Sequence, residues 1–434
     1  MNEINNNIKL LYPVYNTSSH SISKEIYRGD LYCSLLKNFT KSCLQNLNEN
    51  IFSHKKSTNR TLTNLLSSWF FTLYHTYDFK DDPFFPTNYN HMNQLIKTLE
   101  DYCSINIVDN YKDKINNIVE DLSNNYKELL IKINKYTDNN HNINVTKEII
   151  KQERNSKDIL FYKFVLNTPT QVAKKNDPFF QDSSISYNII SNKLNNIINN
   201  IILPINEYNN MKIKYNQLQE PNTYTMDYII WIILFRYQLL SSNNNQLAVM
   251  ENILDNMKTD FGLSFECFAS AINSTLPNFC SIYYDVERYF GSIGSYFNMI
   301  PIKGTYSFNP PYQYDIINNG IERMINHLDN TTDELTFIIT IPIWDIEGKE
   351  YMANNMTENN NNIIKYEDFN IMNVIKKSKY FKGLRMISKD NFTYFDHNFY
   401  LFKNKTIQNT YVILMSNGSV SIDTINTYDF HNYE

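Results

Sequence analysis

Of the nine glycines in this 434-residue chain, only Gly29 precedes residue 262; the other eight lie between Gly262 and Gly418. Glycines gather where a backbone turns tightly or passes close to a ligand, so the two parts of the chain are expected to differ in architecture. The front reads as helical. From Leu62 to Tyr77 apolar residues recur at helical spacing, and the acidic, proline-bearing stretch from Asp78 to Pro86 ends the pattern. Residues 92–135 repeat it, with Leu95, Leu99 and Tyr102, then Ile115, Ile118, Leu122, Tyr126, Leu129 and Ile133 forming stripes that face a core. Residues 1 to about 60 lack strong periodicity and are expected to be loosely organised, with short helices. Lys147 to Arg154 reads as a solvated helix face first and an RNA contact second, and Ile189 to Ile205 as a helix ending near Pro204. Tyr228 to Phe235 (YIIWIILF) reads as a buried helix, far shorter than the roughly 20 residues of a membrane span.

Behind Gly262 the chain alternates. Leu263 to Phe268, Gly304 to Phe308, Leu335 to Ile341, Gly383 to Ile387, Phe399 to Lys403 and Asn409 to Met415 read as strands, with helices at Gln246 to Asp260 and Tyr314 to Leu328. Alternation of this kind predicts an α/β domain with a mostly parallel sheet covered on both faces, placed at residues 226–434 behind a mainly helical domain at residues 1–225. Ligands of such sheets bind beyond the carboxyl ends of the strands. Phe268 to Asn273 and Asn309 to Tyr312 would both fall there.

Composition narrows the classes. A net charge of −5 and a pI near 6.0 exclude a protein that coats nucleic acid with its whole surface, so any such site is local. The five cysteines, Cys33, Cys43, Cys103, Cys267 and Cys280, show no metal-ligand spacing and are odd in number. They predict free thiols in a reducing, intracellular compartment and no metal. The N-terminal MNEINNNIKLLYPV lacks the apolar core of a signal peptide, so no export and no membrane are expected. Asn-rich runs are discounted as compositional bias.

Asn309-Pro310-Pro311-Tyr312 closes the apolar run that holds Tyr306 and Phe308. It is an ordinary strand-ending turn or something more chemical, because a polar residue, two prolines and an aromatic is the arrangement used to methylate exocyclic amino groups of bases. The N6 amine of adenine is a poor nucleophile, its lone pair being delocalised into the ring; two acceptors on its hydrogens localise that pair. The side-chain carbonyl of Asn309 and the backbone carbonyl of Pro310 supply them, proline stiffening the turn. The Tyr312 ring then stacks on the adenine, with Pro311 completing the motif.

Three segments follow one another in a telling order: FGLSFECFASAIN at Phe261 to Asn273, YFGSIG at Tyr289 to Gly294 and GTYSFNPPY at Gly304 to Tyr312. Together with RYQ at Arg236 to Gln238, FIITIPIW at Phe337 to Trp344 and NTYVILMSN at Asn409 to Asn417, they resemble the phosphorylated-CTD-interacting-factor family of cap-specific adenosine N6-methyltransferases. The resemblance covers roughly residues 228–417. It implies a class I, Rossmann-like methyltransferase domain preceded by a helical domain, with S-adenosylmethionine as donor and the 2′-O-methyladenosine beside the cap of mRNA as acceptor. Departures are Ala271 for a proline, Thr305 and Tyr306 for Ser and Phe, Tyr312 for Phe, and Ile343 for a glutamate, which puts any contact of that carboxylate in doubt. The family's WW domain reads as missing, since Trp69, Trp231 and Trp344 are too widely spaced, and WW-mediated docking to polymerase tails is not expected.

Expected cofactor contacts are Glu266, Cys267, Phe268, Ala269, Ser270, Asn273 and Asn309, with Asp285 or Glu287 for the ribose hydroxyls. Glu266 alternatively serves as a paired structural acid, and Gly291 and Gly294 serve turn geometry. For RNA or cap the best stretch is KKSKYFKGLR, with Lys376, Lys377, Lys379, Tyr380, Lys382 and Arg385, or else it is a charged helix-to-strand connection. Arg236, Lys174 and Lys175 are weaker candidates. The competing activities are adenine methylation on internal RNA or DNA, or a non-catalytic cap- or RNA-binding subunit.

Overall fold

The structure, a computed structural model, describes residues 7–11, 20–47, 58–75, 82–87, 89, 92–105, 110–137, 143–154, 157–167, 194–218, 224–240, 246–342, 371–397, 403–405 and 409–430. In chain order its longer elements begin with β1 (Ile8–Leu10), α1 (Ile22–Asn46), α2 (Thr58–His75), α3 (Asn93–Ile105) and α4 (Tyr111–Lys135). A hairpin of β2 (Asn144–Arg154) and β3 (Lys157–Asn167) precedes β4 (Ile202–Pro204), α5 (Ile205–Leu218) and α6 (Met226–Leu240). Then come β5 (Leu247–Val249), α7 (Glu251–Phe261), β6 (Leu263–Glu266), β7 (Met299–Pro301), β8 (Gly304–Phe308), α8 (Tyr314–Asn330) and β9 (Leu335–Pro342). The last are α9 (Ile371–Lys377), β10 (Phe381–Ile387), β11 (Tyr394–Asp396), β12 (Lys403–Lys405) and β13 (Thr410–Ser416). Two compact units result, one of residues 15–243 and one of residues 244–434 together with 1–14.

In the unit of residues 15–243, α6 is buried from Ile229 to Leu240. A helix apolar all round belongs in a core, and the one charge on this face, Arg236, is neutralised inside it. Its guanidinium donates to both carboxylate oxygens of Glu25, at 2.6 and 3.0 Å. Arg28 donates to Glu25 as well and forks onto Asp82 at 2.7 and 3.0 Å. Three expectations are corrected here. Residues 22–46 form one 25-residue helix, capped by the Ser21 hydroxyl, rather than loose structure. Lys147 to Arg154 is a strand, paired residue for residue with Phe164 to Lys157 of β3 in an antiparallel hairpin. The helix expected over Ile189 to Ile205 is present at residues 194–199 but ends before Pro204, since Ile202–Pro204 is a strand with α5 starting directly after it.

In the other unit the main sheet runs β10-β13-β9-β8-β6. β6, β8 and β9 are mutually parallel, while β13 is antiparallel to both β9 and β10, so the sheet is mixed rather than mostly parallel. Both faces are covered. Phe337, Ile339 and Ile341 pack with Ile317, Ile321, Met324 and Leu328 of α8, and the alternate residue Ile338, with Val412 and Leu414, packs with Ile253, Leu254 and Met257 of α7. The helix expected from Gln246 is shorter, because Leu247–Val249 pairs with β11 in a small antiparallel sheet, β12-β11-β5. The strand expected over Phe399 to Lys403 falls mostly outside the described residues, which resume at β12. All five cysteines are buried free thiols.

Candidate active site at the carboxyl ends of β6 and β8

Beyond β6 the sheet continues by single residues: Glu266 bridges Phe279 in parallel, and Phe279 bridges Ser292 in parallel. The chain therefore leaves β6 in one direction, through Phe279 and Ser292, and returns on its other side as β8. Such a reversal is a topological switch point, where the loops after the two strands splay apart and leave a crevice. Cys267 to Asn273 follow one strand, Asn309 to Tyr312 the other.

The first loop is tied from within. Ser270 N–H donates to Asn273 Oδ1 at 2.7 Å, and the Ser270 hydroxyl reaches Asn273 Oδ1 at 3.0 Å and Gln246 Oε1 at 2.9 Å. Glu266 is buried and accepts from Leu276 N–H at 2.7 Å. Glu287 is fully buried, its two oxygens accepting from Ala271 N–H at 2.8 Å and Tyr283 N–H at 3.1 Å. Both acids thus brace the loop's backbone, and the inward geometry of Glu287 speaks against the ribose contact expected of it. Asp285 is half-exposed. Cys267 is buried, and burial with Cys280 and Glu266 nearby pushes its thiol well above the ordinary value, so it offers no thiolate. Phe268 packs edge-on to Phe308 with ring centroids 5.1 Å apart, and Ala269 is half-exposed. Gly291 has φ of 107° and lies so close to the Pro277 carbonyl that any Cβ would stand 2.0 Å from its oxygen.

The second loop presents Asn309 half-buried, Pro310 buried, and Pro311 and Tyr312 half-buried. The Asn309 amide nitrogen faces the Leu247 carbonyl at 3.5 Å, and the Tyr312 hydroxyl faces Asn309 Oδ1 at 3.4 Å. Both contacts are at the outer limit of a hydrogen bond, so the amide is oriented more than clamped and its oxygen can take another donor. The Tyr312 ring lies edge-on to Tyr394 at 6.1 Å. Gln313 begins α8, donating to the Pro311 carbonyl at 2.7 Å.

The expected RNA contacts are not brought to this place. Arg236 is fully buried against Glu25, where a phosphate has no access, and that assignment is withdrawn. Phe381 is level with Met415, Phe337 and Tyr306 across the sheet. Lys376, Lys377, Lys379 and Tyr380 therefore sit toward the amino-terminal edge of β8 and β9, opposite Asn309, in a connection from α9 to β10. Lys379 pairs with Asp329 at 2.9 Å, which also accepts from the buried Tyr380 hydroxyl at 2.7 Å. Lys382 is half-exposed, and Arg385 is occupied by the Ile425 and Tyr428 carbonyls at 2.8 and 2.9 Å. Lys174 and Lys175 lie outside the described residues. Gln246, which touches the first loop, and Leu247, which touches the second, were not anticipated: Gln246 closes the Asn-rich run SSNNNQ, discounted as bias, and Leu247 follows it.

A family model described as phosphorylated CTD interacting factor 1 WW domain matches residues 206–383, which include β6, β8 and both loops. Over those residues the chain is similar to the phosphorylated-CTD-interacting-factor family. That description names a WW domain, so the expectation of a missing WW domain, and of no WW-mediated docking, is withdrawn. Proteins of Mus musculus and Homo sapiens named mRNA (2'-O-methyladenosine-N(6)-)-methyltransferase are each 30% identical over 121 residues. The aligned stretch is 26% of this chain and 17% of each of these family relatives. No helix among the described residues is long and apolar enough to cross a membrane.

Proposed function

We propose that this protein is an S-adenosylmethionine-dependent methyltransferase of class I, Rossmann-like fold that methylates N6 of adenosine, its acceptor being the 2′-O-methyladenosine next to an mRNA cap. The observation that carries the reading is the placement of Asn309 to Tyr312 across a topological switch point from the Cys267 to Asn273 loop. The names of the mouse and human relatives support the same chemistry and the same acceptor.

The residues fit the donor. Ala269 presents only a methyl group, which lets the backbone come close to a bound molecule, and Ser270 and Asn273 hold that backbone in shape. The donor supplies an electrophilic methyl group. Asn309 Oδ1 and the Pro310 carbonyl then draw on the two amine hydrogens, which localises the nitrogen lone pair, while the Tyr312 ring takes the face of a base swung out of its stack. The amine becomes acidic only as the new bond forms, so its proton leaves to water without a dedicated base.

Substrate class is tested by incubating purified protein and labelled S-adenosylmethionine with capped RNA beginning in 2′-O-methyladenosine, the same RNA uncapped, and DNA. Transfer to the capped RNA is expected to exceed the others by at least about tenfold, the worth of roughly 1.4 kcal/mol of cap recognition. Equal transfer to uncapped RNA or DNA would replace cap specificity with general adenine methylation, and binding of capped RNA with neither heat nor thermal shift on adding S-adenosylmethionine would point to a non-catalytic subunit.

A further inference from the structure

Gln246 stands where the small sheet meets both loops of the site. Its side chain is 6% exposed, and Oε1 accepts from the Ser270 hydroxyl at 2.9 Å. Its own carbonyl accepts from His397 N–H at 3.0 Å, which extends the pairing of β5 with β11 by one rung. The next carbonyl, that of Leu247, faces the Asn309 amide nitrogen at 3.5 Å. One two-residue segment therefore holds Ser270 on the loop after β6 and orients Asn309 on the loop after β8, and it is itself pinned to a sheet that belongs to neither strand.

We infer that Gln246 is the positioning residue that aligns the methyl-donor loop with the amine-acceptor loop; the inference rests on the methyltransferase reading above. Displacement at a methyl carbon needs nitrogen, carbon and sulfur in line, and a misplacement of about 1 Å costs on the order of a hundredfold. Two loops set independently, each on its own strand end, would drift relative to each other. The acceptor on Gln246 removes that freedom on one side, and the Leu247 carbonyl, a peptide unit away, biases the Asn309 amide on the other. The Leu247 carbonyl has a second effect. By taking the amide nitrogen of Asn309, it turns Oδ1, the atom the amine needs, away from itself. Ser270 is suited to the link because its hydroxyl hydrogen can go to Gln246 while its oxygen still accepts from Asn273 N–H at 3.3 Å.

The test uses the full chain and labelled methyl transfer to capped, adenosine-initiated RNA, with Gln246→Met, Gln246→Glu, Ser270→Ala and the Gln246→Met/Ser270→Ala double variant. Met keeps length and volume without the acceptor; Glu keeps an acceptor oxygen at the same reach. Gln246→Met is expected to lower kcat/KM for S-adenosylmethionine by roughly 30- to 100-fold and to raise the KM for RNA as well, with the thermal midpoint within about 3 °C of the wild type, as for a loss below 1 kcal/mol. Gln246→Glu should recover most of that loss, and the double variant should be no worse than the poorer single, since both break one contact. Wild-type transfer with Gln246→Met inside about threefold of it, Glu no better than Met, or fully additive losses would overturn the inference alone. Wild-type protein that moves no methyl to any adenine would overturn the methyltransferase reading, and this inference with it.

Discussion

Asn309 is held by two contacts of 3.4 and 3.5 Å, one at each end of its amide. On the proposed function, the hydroxyl of Tyr312 is the placeholder that an incoming amine displaces, and its ring is the surface the base meets. Tyr312→Ala should raise the KM for RNA by roughly 5- to 150-fold, the range of about 1–3 kcal/mol per stacked base, whereas Tyr312→Phe should stay within a few fold; steady-state kinetics distinguishes the two. A second residue carries a pH signature. Burial, with Arg323 one helical turn away, pushes His327 down to about 4. Below its unfolded value near 6.5 the unfolded chain binds a proton that the folded chain refuses, so stability falls as pH drops from about 6.5 toward 4. His327→Leu should flatten that part of a plot of denaturation midpoint against pH. The motif at Asn309 was legible because its four residues are contiguous. Arg236 was misjudged because its partner, Glu25, is 211 positions away, and Gln246 was missed because its partner, Ser270, is 24 away. No local pattern records such pairs.

At the scale of elements, periodicity was readable only where the buried face is apolar. Glu25, Arg28 and Ser42 are buried on α1 and interrupt its stripe, which hid a 25-residue helix. In β2 the charges come in neighbouring pairs around Ile149 and Ile150 rather than in strict alternation, and they were read as a helix face. Strand direction was equally invisible, since β13 is as apolar as a parallel strand but runs antiparallel between β9 and β10. Glycine was the more reliable guide. Gly291 gives its carbonyl to Phe279 N–H at 3.3 Å, in the single-residue bridge that creates the switch point. Gly291→Ala should cost on the order of 3 kcal/mol, from positive φ and the Pro277 clash together. Gly262→Ala, also at positive φ but with nothing within 4 Å of its Cβ, should cost only about 1–2 kcal/mol. Denaturant midpoints of the two variants make the comparison.

For the molecule as a whole, the order of strands decides where chemistry is possible. The strand order reverses around β6, the loops after β6 and β8 leave the sheet at that switch point, and the cationic stretch from Lys376 lies toward the other edge of the sheet. An α/β sheet with helices on both faces was foreseeable from the alternation of elements, and the place of the site from the rule that ligands lie beyond carboxyl ends. The reversal was not, because Phe279 and Ser292 join the sheet by one residue each. On the proposed function, Asn309 draws on the amine of adenine without being needed for the fold. That claim is tested most directly by measuring labelled methyl transfer to capped, adenosine-initiated RNA for wild type and Asn309→Ala, alongside S-adenosylmethionine binding by calorimetry. The account predicts transfer by the wild type, a loss of roughly a hundredfold or more in kcat for Asn309→Ala, as for removal of a group acting in the transition state, and donor binding retained within about tenfold. Asn309→Ala that transfers methyl at the wild-type rate would contradict it.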